Sequence, residues 1–247
     1  LPAVEIREYR TKELDLKGGT VIDGFPSIGL VSTIASNYLI EVLQLDCIAV
    51  LESELFPPLS MIFARKPKFP ARIHASQEHG VAAFTAEFTP VPTLDRAIAK
   101  AMLGWAMRKG CEAIITSMGF PAPEAREPDV EPQLYGVGST DSARKKLEEA
   151  GIAQLETGMI TGVPAVLLNE GKWENFDVIA LLVQADPRIP DHRAAAKVVQ
   201  AMNRLLPRVE VDVGPLLVEA EEIERRLRLM RSQAKVLEAH PQPTIYG

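Results

Sequence analysis

Cysteine is nearly missing from this chain, with Cys47 and Cys111 the whole complement in 247 residues. Two thiols make neither a disulfide framework nor a cysteine zinc site. Each sits among apolar, β-type residues ("DCIAV", "CEAII"), so both are expected to be buried and reduced, which fits a cytoplasmic setting. Long apolar runs are missing too: stretches such as "VIALLV" fall far short of the ~20 residues a membrane helix needs. Nor is there an excess of positive charge. Lys and Arg number 27 against 33 Asp and Glu, for a net charge of −6, and nucleic acid or an anionic membrane as partner is set aside because phosphate binding needs clustered cations.

Catalytic signatures are equally scarce. The stretch "GFPSIGLVSTIAS" follows a predicted strand and opens a predicted helix, and Gly24 and Gly29 have the spacing of phosphate-loop glycines. Leu30 and Val31 then stand where such a loop needs Lys and Ser or Thr, so no nucleotide triphosphate site is supported and no cofactor is expected. A tight turn that packs helix on strand is the structural reading, and an anion at the helix N-terminus is the functional one. No G-x-S-x-G elbow occurs. His74, His79, His192 and His240 are scattered without metal-ligand spacing and read as surface or capping residues. Glu52 and Glu54 share a face if extended, which makes a carboxylate pair or a solvated strand end.

What is present is alternation. Apolar β-type runs at 20–25, 47–53, 112–117 and 178–185 interleave with helical periodicities, the pattern of an α/β domain with a mixed, mostly parallel sheet. Helices are expected at 27–43, at 93–109 with Thr93 as N-cap, at 140–150, within "GVPAVLLNEG", and at 191–206. The runs "RIHASQ" and "VAAFTAEF" read as a hairpin closed at Gly80, which adds antiparallel strands. The segment from Met118 to Gly136, rich in Pro and acidic residues, reads as a long surface loop. Near the end, Leu216, Ala220, Ile223, Leu227, Met230, Ala234 and Leu237 step by four and three, a heptad seam, with Glu221–Arg225, Glu222–Arg226 and Glu224–Arg228 in the favourable i,i+4 order. That seam fits either contact between subunits or packing on the chain's own body. Three parts are therefore expected: an α/β body at 1–212, a helix at 213–239 and a tail at 240–247, which Pro241 and Pro243 keep out of the helix.

The segments "GFPSIGLVSTIASNYLIE", "GMITGVPAVLLNEG", "DPRIPDHRAAAKVVQAMNRLL" and "VDVGPLLVEAEEIE" resemble the proteasome assembly chaperone family, the group that includes archaeal homologues of the second eukaryotic assembly chaperone. The resemblance runs from about Val21 into the final helix. It implies a three-layer α/β body similar to nucleoside phosphorylases but without their catalysis. It also implies homo-oligomers, contact with the α ring of the proteasome core, and room for a paralogous chaperone as a further partner. In that family, ring docking uses a C-terminal hydrophobic residue, a tyrosine and any last residue, and Ile245, Tyr246 and Gly247 match this position by position. The expected function is thus a proteasome assembly chaperone or ATP-independent ring-binding factor. The alternative is a phosphorylase- or hydrolase-like enzyme that uses the turn between Gly24 and Gly29 as an anion site.

Overall fold

The computed structural model describes residues 3–9, 14–121 and 130–239, with side chains followed as far as Arg226 in the last helix. In chain order the elements are β1 (Glu5–Glu8), β2 (Thr20–Gly24), α1 (Val31–Val42), β3 (Asp46–Glu52), β4 (Met61–Phe63), β5 (Lys66–Lys68), β6 (Ala71–Ser76) and β7 (Val81–Ala86). They continue with α2 (Asp95–Arg108), β8 (Ala113–Pro121), β9 (Leu134–Gly138), α3 (Asp141–Glu149), α4 (Gly162–Glu174), β10 (Asp177–Ala185), α5 (His192–Leu205) and α6 (Gly214–Ala239).

Eight strands form one sheet in the order β1-β3-β6-β7-β2-β8-β10-β9. Its centre, β7-β2-β8-β10, is parallel, while β1, β3 and β6 on one side and β9 on the other are antiparallel. The mixed α/β architecture read from the sequence is therefore present, with the antiparallel portion at the flanks. The period-two geometry of a strand sends successive side chains to opposite faces. Val21, Ala82, Ile114 and Val178 accordingly enter a core with α2 and α4, and Ile22, Ala83, Ile115 and Ile179 enter a second core with α1, α3, α5 and the start of α6. Strands buried on both faces have no need of polar alternation, which is why "VIALLV" is apolar throughout. In the first core, Trp105 meets Phe84 edge-on at 5.3 Å and its indole N–H donates to Glu8 at 3.0 Å, tying β1 to α2.

Helices start at the expected places after Thr140 and Asp191, whose side chains cap them, and β6–β7 closes at Gly80 (φ 63°) as expected. Four other expectations are corrected. Helix α1 starts at Val31, not at residue 27, because Gly29 (φ 66°) and Leu30 (φ 51°) are both left-handed, and Ile28 is left exposed. Thr93 lies in a short 3-10 turn before α2 and does not cap it. Strand β8 runs on through Gly119 to Pro121, where a loop was expected. Beyond Thr116 it pairs with β10 alone, out to Pro121 opposite Ala185. Cys47 is exposed, since the start of β3 lies beyond the cover of the helices, whereas Cys111 is buried as expected.

The hairpin of β4 and β5 was not foreseen. Prolines at 57, 58, 67 and 70 hide its short strands from any periodicity argument. Residues 122–129, in the acidic proline-rich loop, lie outside the described residues. Among the described residues, no helix is long and apolar enough to cross a membrane.

Candidate functional site

In an open α/β sheet, ligands bind in the crevice beyond the carboxyl ends of the parallel strands. Here that place is filled by the turn that joins β2 to α1. Gly119 of β8 lies so close to it that a Cβ would stand 2.3 Å from the Ile28 carbonyl oxygen, and a Cβ on Gly29 would meet Ala185 at 3.0 Å. A Cβ on Gly24 would fall 2.1 Å from Ser36 Oγ and 2.9 Å from the Phe84 carbonyl oxygen. The Asp191 N–H donates to the Gly29 carbonyl at 2.8 Å, which fastens the turn to the start of α5.

The polar groups of the turn are spent on one another. Ser32 Oγ donates to the Phe25 carbonyl at 2.6 Å and lies 2.7 Å from Ser27 Oγ, and Thr33 Oγ1 donates to the Gly24 carbonyl at 3.3 Å. The Ser32 N–H, one of the first in α1, points to Ser27 Oγ at 3.4 Å. The surrounding charge is acidic: Asp23 is buried beneath the turn, Asp191 caps α5, and Arg188 is held by Asp186 at 2.9 and 2.6 Å. An anion would meet carboxylates here, so the glycines serve close packing of backbone on backbone.

Asp23 is the most perturbed acid of this region. Burial pushes its carboxyl up to about 6, against the pull of the hydroxyl donated by Thr116 at 2.7 Å and the Phe25 N–H at 3.1 Å. An unfolded aspartate titrates near ~3.9, so the stabilising contribution is complete below about pH 4 and is lost as the pH rises through about 6. Two units of pH correspond to roughly 3 kcal/mol. Asp23→Asn, a permanently neutral stand-in, is expected to unfold in urea at higher concentration than the parent at pH 7 and to match it near pH 4. An unchanged difference between the two pH values would remove Asp23 as the cause.

The remaining candidates do not assemble into a catalytic or metal site. Cys47 and His74 are cross-strand partners in β3 and β6. Although Cys47 is exposed at the surface, partial desolvation of its thiol by the atoms around it raises it, and burial lowers His74 to about 4, so neither carries the charge that an activated cysteine pair requires. Burial also pushes Cys111 up to about 11. The Nδ1 atoms of His74 and His192 are buried, which corrects the surface reading of both residues. His79 lies in the β6–β7 turn, and His240 falls outside the described residues. Glu52 ends β3 paired with Arg7 at 2.7 Å, and Glu54 stands exposed just beyond it, at a solvated strand end. No group of three or more metal-ligating side chains occurs among the described residues.

The base of α6 is firmly held. Leu216, the first seam residue, is buried in the core shared with α1 and α5, Ala220 is buried and Ile223 is half-buried. Arg193 in the first turn of α5 donates two hydrogen bonds to Glu224, at 3.0 and 3.1 Å, with the side chains only 13% and 15% exposed. A cation is disfavoured at a helix N-terminus, so Arg193 gains its place from Glu224 and not from α5. Glu222 and Arg226 pair at 3.7 Å as expected, and the side chain of Arg228, the expected partner of Glu224, lies outside the described residues. Just before α6, Asn203 exchanges two hydrogen bonds with Val211, and Tyr38 donates to the Asp212 carbonyl. The seam thus begins as packing within one subunit. The side chains of Leu227, Met230, Ala234 and Leu237, and the whole of Ile245, Tyr246 and Gly247, lie outside the described residues.

Comparison with known proteins gives this arrangement a context. The fold superposes on PbaA of Pyrococcus furiosus, described as an archaeal homolog of proteasome-assembly chaperone, with a TM-score of 0.82 and 31% identity over 95% of this chain and 94% of that one. PbaB of the same organism, described as an archaeal proteasome activator, gives a TM-score of 0.78 and 26% identity over 94% and 100% of the two chains. An uncharacterized protein of Methanocaldococcus jannaschii is 23% identical over 224 residues, which is 90% of this chain and 89% of that one. The PAC2 family model matches residues 21–231, from β2, through the glycine turn and both cores, into α6, and by that match the chain belongs to the PAC2 family.

Proposed function

We infer that this chain is a proteasome assembly chaperone or ATP-independent ring-binding factor that docks on the proteasome α ring through Ile245, Tyr246 and Gly247. The observation that carries the reading is the likeness to PbaA over nearly the full length of both chains, at 31% identity. Ile245, Tyr246 and Gly247 fit the docking pattern position by position. On this reading the chain is a cytoplasmic, non-enzymatic homo-oligomer with a phosphorylase-like body at 1–212, a helix at 213–239 and a docking tail at 240–247. A paralogous chaperone is a further partner, while nucleic acid and membrane are not partners.

The chemistry of such a tail is simple. The terminal carboxylate pairs with a cation, the tyrosine anchors in a pocket, and the aliphatic residue contributes on the order of 1.5–3 kcal/mol by burial. One tail binds weakly, and several on one oligomer gain by effective concentration when their spacing matches the pockets. The filled crevice and its carboxylates argue against the enzyme alternative. The test is capture of the full chain by purified α rings without nucleotide. Retention that ATP and magnesium leave unchanged is the expected result, and failure of the rings to retain the chain would overturn the reading.

A further inference from the structure

Between β3 and β6 the chain leaves the main sheet for β4 and β5, which pair only with one another. Their two turn residues, Ala64 (φ 47°) and Arg65 (φ 63°), are both left-handed. That turn suits the twist of a hairpin, but Asn and Gly are the residues that make it cheaply. Three-residue strands on such a turn are at best marginally stable alone in water. Ile62 and Phe63 point to opposite faces and are 69% and 65% exposed, so neither face is covered. Residues 61–69 carry Arg65, Lys66 and Lys68 and no carboxylate, in a chain of net charge −6. Lys68 Nζ sits 4.1 Å from the centre of the Phe63 ring.

At the foot of the hairpin lies a groove of about 970 Å³. Its apolar lining includes Leu55, Phe56, Leu59 and Phe69, and its charged lining is Glu5, Glu52, Glu54 and Arg7, of which Arg7 pairs with Glu52 at 2.7 Å, so Glu5 and Glu54 give the groove its net negative charge. A basic, apolar hairpin thus stands beside an acidic, apolar groove. A surface with both halves of a complementary pair side by side is satisfied by a two-fold axis, because each contact then occurs twice. We propose that this hairpin and groove form an interface between two copies of the chain, with Ile62 and Phe63 of each copy seated in the other's groove and the cations Arg65, Lys66 and Lys68 facing the carboxylates. The strained turn is then held by what the second copy covers. This interface rests on the oligomeric part of the proposed function.

The test uses the full chain and measures self-association by sedimentation and light scattering. Ile62→Asp combined with Phe63→Asp is expected to weaken the two-copy step on the order of 100-fold, as loss of central apolar anchors does. A charge exchange guards against misfolding. One chain carries Lys66→Glu and Lys68→Glu, and a second carries Glu5→Lys and Glu54→Lys. Each alone repels its own kind, whereas the mixture restores both contacts and is expected to associate at the parent's affinity. Self-association of the hairpin variants equal to the parent's, or a mixture no tighter than its components, overturns the interface. So does hairpin-dependent binding of the parent to phosphatidylserine vesicles with self-association unaffected. Capture by α rings is read in the same samples. A monomeric parent that the rings retain overturns the interface and leaves the docking reading, while a hairpin-linked pair that the rings ignore does the reverse.

Discussion

Deleting Tyr246 and Gly247 is expected to abolish capture by α rings while leaving folding and subunit count unchanged. Among the described residues the two cores are built from side chains between Leu16 and Leu216, and the base of α6 is secured by Leu216 and the Arg193–Glu224 pair, so the expected loss falls on docking and not on folding. Loss of a buried tyrosine anchor costs on the order of 2 kcal/mol per tail, and on an oligomer that loss recurs at every tail that engages. Adding one residue after Gly247 is the sharper variant. It keeps every side chain but moves the terminal carboxylate by roughly 3.5 Å, out of reach of its cation, and is expected to weaken capture nearly as much. Surface plasmon resonance on immobilised α rings, beside a melting curve for each variant, checks both. If the deleted and extended chains bind as tightly as the parent, the contact lies on the body, beginning with the acidic segment 121–132.

The second large effect is predicted at Gly119. A Cβ there would lie 2.3 Å from the Ile28 carbonyl oxygen, and that carbonyl belongs to a turn held in place by two left-handed residues and by the Asp191 N–H. No flexible side chain is available to move aside, so either β8 shifts or the turn lifts from the sheet. Overpacking of this kind costs roughly 3 kcal/mol, which for a chain of this size lowers Tm by about 6–12 °C. Gly104 is the control. It lies inside α2, where the nearest atom to a new Cβ is the mobile end of Arg108 at 3.4 Å, so Gly104→Ala is expected to raise stability by about 0.5–1 kcal/mol. Equal melting temperatures for Gly119→Ala and Gly104→Ala would show that the turn is not wedged against β8. A Gly119→Ala protein whose turn has lifted also becomes the place to look for anion binding, which the parent's packed crevice opposes.

Much of this molecule is legible one residue at a time. Strands buried on both faces declare themselves as runs such as "VIALLV", Thr140 and Asp191 cap because a short polar side chain reaches an N–H three residues on, and Gly80 closes a hairpin because it accepts positive φ. These are local rules, and the α/β class follows from their alternation. The family likeness was legible for a different reason, since it rests on whole segments and not on any one contact.

Tertiary structure decided what depends on residues far apart in the chain. The spacing of Gly24 and Gly29 fits both a phosphate cradle and a packing turn, and only the approach of Gly119 to within a carbonyl's width of Ile28 separates the two. A heptad seam fits both a neighbour and the chain's own body. Leu216 is committed to the body because α1 and α5 happen to lie beneath it, and Glu224 is held by Arg193, 31 residues away, where both side chains are shielded from water. Strand β8 extends through Pro121 because β10 runs beside it as far as Ala185, a fact about a neighbour that no local window contains. Sequence by itself determines conformations whose energy is local, and structure decides those whose energy is a contact between distant parts, because only the folded chain brings both partners to the same place.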